Sequence, residues 1–113
     1  MQEKFRGKNS FFLKIRFGIG NMVRKSATFE IVNERGFHAR PASLFVQSAM
    51  NYASDIKVKN LESGITADGK SLMSLLMLAA PKGTRLEVSA SGTDAESALE
   101  TLGRMITGGF DEE

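Results

Sequence analysis

The chain has 113 residues, 42% apolar and 25% charged, as expected of one ordinary folded domain rather than a disordered chain. It has no cysteine and one histidine, which excludes disulfides, thiol catalysis, cysteine-ligated metal centres and any site built from several imidazoles. The formal charge of +2 conceals a division: residues 1–25 hold seven basic side chains against one acidic, and residues 26–113 hold eight against twelve.

Residues 1–23 read as a basic N-terminal extension, either disordered or translated upstream of a real start at Met22. Lys14 and Arg16 interrupt Phe11, Phe12 and Leu13, so the apolar run of about 7–15 residues required by a secretory signal is missing. Phe5, Phe11, Phe12 and Phe17 among the basic residues leave open a contact with anionic lipid or RNA. The net acidic remainder is a poor partner for phosphate backbones, and neither nucleic-acid binding nor membrane insertion is expected. The folded unit is expected over residues 24–110.

Ala27, Phe29 and Ile31 alternate with polar residues, the period of a half-buried strand. After the turn at Asn33–Gly36, Ala42, Phe45, Val46, Ala49 and Met50 recur at helical spacing. Asp55–Asn60 alternates again, and a short strand is expected over Ile65–Ala67, closed by Asp68-Gly69 in left-handed turn geometry. Ser71 caps a compact apolar run, Leu72–Leu78, that reads as a short helix stopped before Pro81. Arg85–Ala90 is a fourth strand with Leu86, Val88 and Ala90 inward. Thr93-Asp94-Ala95-Glu96 reads as a capping box for a helix striped by Ala95, Ala98, Leu99, Leu102, Met105 and Ile106, ending at Gly108-Gly109. The order is βαββαβα. One wet face on every strand implies an antiparallel sheet with helices on the other face, an α+β open-faced sandwich.

The histidine lies in Gly36-Phe37-His38-Ala39-Arg40-Pro41-Ala42, between the first strand and the first helix. Pro41 is tolerated in a first helical turn, which places His38 at or near the N-cap beside amides with no intrahelical acceptor. The helix dipole and a guanidinium at Arg40 favour an anion there. A neutral imidazole beside such a cluster suits phosphoryl transfer, which depends on positioning and charge stabilisation. The plainer alternative is that His38 only caps the helix while Arg40 points to solvent.

That segment, with Phe45 and Val46 following, resembles the active-site segment of the HPr family, the histidine-containing phosphocarriers of the bacterial phosphoenolpyruvate-dependent phosphotransferase system. Gly69-Lys70-Ser71-Leu72-Met73 resembles the family's regulatory serine segment, and the likeness spans roughly residues 24–108. It implies that His38 accepts a phosphoryl group from phospho-Enzyme I on Nδ1 and passes it to EIIA domains in sugar uptake, with Arg40 stabilising the group. It implies a carrier with no turnover of its own, no metal or other cofactor, a cytoplasmic location and a monomer. Ser71 would be the site of an HPr kinase/phosphorylase. Capping and modification are compatible, because a phosphate at a helix N-terminus gains from the dipole.

Leu44, Leu72, Met73 and Leu76 are expected to form the partner-docking surface, as mobile apolar residues suit successive partners. Gln47 and Ser74 depart from the lysines of many family members, which weakens steering toward acidic partners. A ferredoxin-like ligand-binding module shares much of this element order but does not require the His38–Arg40–Pro41 cluster. A carrier serving nitrogen or transcriptional control rather than sugar uptake would use the same chemistry.

Overall fold

Period-two alternation decides the architecture. In Asp55–Asn60, Ile56, Val58 and Asn60 are buried while Asp55, Lys57 and Lys59 are exposed, and Leu86, Val88 and Ala90 are buried along Arg85–Ser91. The computed structural model describes residues 23–112, and the expectations for the basic extension fall, Val23 aside, outside the described residues. The elements are β1 (Arg24–Glu30), α1 (Ala39–Ala49), β2 (Asp55–Asn60), β3 (Thr66–Asp68), α2 (Leu72–Leu76), β4 (Arg85–Ser91), α3 (Ala95–Thr107) and a terminal 3-10 turn, Gly109–Asp111. The strands pair in the order β1-β4-β2-β3, every pairing antiparallel. The βαββαβα sandwich is as expected.

The core lies between sheet and helices. Helix α1 contributes Pro41, Ala42, Phe45 and Ala49, and α3 contributes Ala95, Ala98, Leu99, Leu102 and Ile106. Each fully buried Leu, Ile or Phe stabilises the fold by roughly 1.5–3 kcal/mol. On the open face, opposite charges stand directly across from one another, Glu30 by Arg85, Lys59 by Glu87 and Lys57 by Asp68.

Several local expectations are corrected. Strand β3 begins at Thr66, leaving Ile65 45% exposed. Met50 is the C-cap of α1 and 62% exposed, off the buried stripe. Helix α2 stops at Leu76, and Ala79 turns the chain at φ +47° before Pro81 is reached. Gly69 is not left-handed; a Cβ there would lie 2.5 Å from Ile56 Cγ2, so close packing is what requires glycine. The capping box does not form. Asp94 is the N-cap of α3 but makes no cap bond. Its carboxylate accepts instead from Ser54 Oγ at 2.5 Å, Ala53 N at 2.8 Å and Ser54 N at 3.0 Å. The Ser54 hydroxyl, then the Ala53 amide, hold the Asp94 carboxyl below its ordinary range.

Candidate functional site

Gly36 has φ +74°, and a Cβ on it would meet Ala80 O at 2.7 Å and Pro81 Cα at 2.8 Å. Glycine is therefore required where the chain leaves β1 and passes against the Ala80–Pro81 backbone. Phe37 N donates to Ala80 O at 2.8 Å, and the Phe37 ring packs edge-on against Phe45 at 6.0 Å. His38 follows as the N-cap of α1, extended at φ −90° and ψ −169°. Its side chain makes no cap bond, so the plain capping alternative does not hold.

The ring engages an anion instead. His38 Nε2 lies 3.0 Å from Oε2 and 3.2 Å from Oε1 of Glu112, and Arg40 Nη1 donates to the same Oε2 at 3.2 Å. Asn33 Nδ2 completes the group, donating to Glu112 Oε1 at 2.8 Å and to Gly36 O at 2.7 Å. With both acceptors on its amide nitrogen, the buried Asn33 Oδ1 has no partner among the described residues. Three donors from β1's exit, the N-cap and the first turn of α1 thus converge on one carboxylate. Among the described residues, His38 and Arg40 are joined through it.

Glu112 arrives by an unusual backbone path. Gly109, Phe110 and Asp111 all take left-handed conformations, at φ +66°, +56° and +61°. For Phe110 and Asp111 this costs about 1–2 kcal/mol each. Burial of the Phe110 ring, 5.7 Å from Phe37, offsets an amount of the same order, roughly 1.5–3 kcal/mol. Burial pushes the Glu112 carboxyl up, but the bonds from Asn33 and His38, attraction to the His38 ring and the bond from Arg40 hold it below the ordinary range. Sequence reading missed both Glu112 and Asn33. In the sequence Asn33 reads only as part of a turn, and Glu112 lies beyond the expected domain end at residue 110.

The second motif lies apart from this group. Ser71 is the N-cap of α2, and its Oγ accepts from Ser74 N at 3.2 Å. Lys70 Nζ donates to Tyr52 O at 2.7 Å, tying the loop before Ser71 to the segment after α1. Leu72, Met73 and Leu76 are 38%, 74% and 37% exposed, and Leu44 is half-buried. Met50 and Met77, also exposed, extend the apolar surface beyond the residues expected from sequence. Gln47 donates to Ser43 Oγ at 3.4 Å, and Ser74 Oγ accepts from Asp68 N at 2.9 Å. Among the described residues no helix is long and apolar enough to cross a membrane.

A family model described as "PTS HPr component phosphorylation site" matches residues 25–107. The chain is 40% identical over 91 residues to the phosphocarrier protein HPr of Neisseria meningitidis serogroup A, covering 80% of this chain and 98% of that protein. It is 44% identical over 88 residues to the multiphosphoryl transfer protein of Escherichia coli O157:H7, covering 77% of this chain but 23% of that protein. The chain therefore spans under a quarter of such larger relatives. The crystal structure of HPr-C-His from Thermoanaerobacter tengcongensis superposes with a TM-score of 0.74 at 39% identity, covering 79% of this chain and 98% of that one. The chain belongs to the HPr family of phosphotransferase-system phosphocarriers.

Proposed function

We propose that His38 accepts a phosphoryl group on Nδ1 from phospho-Enzyme I, itself charged by phosphoenolpyruvate, and passes it to EIIA domains in sugar uptake. The observation that carries this reading is the anion held between His38 and Arg40, 3.0 Å from the imidazole and 3.2 Å from the guanidinium. Arg40, which reaches an anion beside the His38 ring, has the donors to meet a phosphoryl group on that ring as well. Arg40, 60% exposed, is long enough to follow the charge onto the ring.

The working unit is the domain from residue 24 to 110 with its tail, a cytoplasmic monomer that needs no metal or other cofactor of its own. Leu44, Leu72, Met73 and Leu76 form the docking surface for Enzyme I and EIIA. Ser71 is the regulatory site for an HPr kinase/phosphorylase. Its hydroxyl already sits at a helix N-terminus, where a phosphate would gain from the dipole and act on partners without unfolding the domain.

The test is intact mass after incubation with phosphoenolpyruvate and Enzyme I, beside His38→Ala. One acid-labile phosphoryl unit, absent from the variant, is expected. No adduct in the presence of a donor that charges another carrier would overturn the reading.

A further inference from the structure

We infer that Glu112 is a positioning residue for His38: its carboxylate, seated on Nε2, sets the imidazole tautomer and so makes Nδ1 the nitrogen that bonds phosphorus. This deepens the carrier reading and rests on His38 being the phosphoryl acceptor.

The argument starts from what each group can donate. An ionised carboxylate only accepts hydrogen bonds, whereas a neutral imidazole has one N–H and one lone pair. Both Glu112 oxygens lie within 3.2 Å of Nε2, so that nitrogen carries the proton. The lone pair is then on Nδ1, which no hydrogen bond among the described residues engages.

The carboxylate is also held independently of the ring it orients. Asn33 Nδ2 and Arg40 Nη1 each donate to it, and Phe110, packed on Phe37, anchors the backbone two residues earlier. The left-handed run at Gly109–Asp111 aims the chain back at the start of α1. The depressed carboxyl pKa keeps Glu112 in its acceptor-only form below the usual glutamate range.

The transfer step balances without moving a proton. The Nδ1 lone pair forms the bond to phosphorus while the bond from phosphorus to the donor breaks, its electron pair leaving with the donor. The ring keeps its Nε2 proton and becomes cationic, facing the Glu112 carboxylate. Onward transfer returns the pair to Nδ1 and the ring to neutrality. A fixed anion on Nε2 therefore serves both directions, stabilising the charged ring without occupying the reacting nitrogen.

The test uses the full chain, unphosphorylated and labelled with ¹⁵N-histidine, above the imidazole titration range. Long-range ¹H–¹⁵N correlation reads the two ring nitrogens directly. In the unaltered protein Nε2 should give a protonated, pyrrole-type shift and Nδ1 a pyridine-type shift. In Glu112→Gln the side-chain amide can accept or donate, so both tautomers are tolerated and the two shifts should move toward each other. Glu112→Ala, which removes the acceptor altogether, should move them the same way. Unchanged nitrogen shifts in both variants, or a protonated Nδ1 in the unaltered protein, would overturn the proposal. A merely structural tail contact would alter thermal stability and leave the tautomer as it was. Because no phosphoryl donor is present, this result is separate from that of the phosphorylation assay.

Discussion

Helix α2 begins with its own cap, whereas helix α1 begins with a residue whose side chain turns away from the helix and toward an anion. At α2, Ser71 Oγ takes the Ser74 amide, and the start of the helix is closed by its own sequence. At α1, His38 holds the N-cap position without a cap bond, Pro41 supplies no amide hydrogen, and the imidazole meets Glu112. The two starts share backbone geometry, as both caps are extended. They differ in where the side chain goes. A local acceptor closes a helix start upon itself, while a residue that leaves its cap bond unmade keeps its side chain available to an anion from elsewhere in the chain.

Arg40→Ala gives the largest test of that contrast. Loss of one charge-stabilising donor should slow phosphoryl uptake from Enzyme I roughly a hundredfold. Stability should stay within about 0.5 kcal/mol, since the side chain is mostly exposed. Stopped-quench phosphorylation and urea unfolding measure the two, and a loss of stability without a loss of rate would reverse the assignment. Ser71→Ala should show the opposite pattern. Removal of the cap should cost about 1 kcal/mol of stability, with uptake changing far less than in Arg40→Ala.

The smallest effect is a pH response at the start of α1 that the start of α2 does not share. Glu112 titrates below its ordinary value of about 4.3, so its bonds are fully present above that value and are lost as pH falls through the folded one. The Asn33 side-chain amide and the Arg40 Nε–H resonances should shift over that window. Ser74 N, bonded to a hydroxyl that does not titrate there, should not follow them. If all three moved together, the acid transition would be global unfolding rather than release of the tail.

Legibility in the sequence followed the range of the interaction. Strand alternation, the α3 stripe and the Ser71 cap are local patterns, and the two motifs in register carried the resemblance to the family. Glu112 was invisible because its partner His38 lies 74 positions away, and nothing in the last residues forms a periodic signal. The capping box failed for the same reason. Its pattern requires Thr93 as the N-cap with Glu96 three residues on. The helix starts one residue later at Asp94, whose oxygens are held by three donors from Ala53 and Ser54, 41 and 40 positions away. Gly69 resisted reading differently: the turn its dipeptide signals is there, closed by Ser71 N donating to Asp68 O. What requires glycine is the Ile56 side chain of the neighbouring strand rather than left-handed backbone.

The open face of the sheet has a kinetic consequence for encounters with other molecules. Its charges are matched across the strands, Lys57 with Asp68, Lys59 with Glu87 and Glu30 with Arg85, so little field reaches beyond about a Debye length of 8–10 Å. Charges paired this closely give a colliding molecule little long-range steering toward that face. The helical side differs in exposing Met73 and Met77, the apolar surface that the proposed docking reading requires. The two sides of the sandwich thus differ in what they offer an encounter: paired charge on one, exposed thioethers on the other.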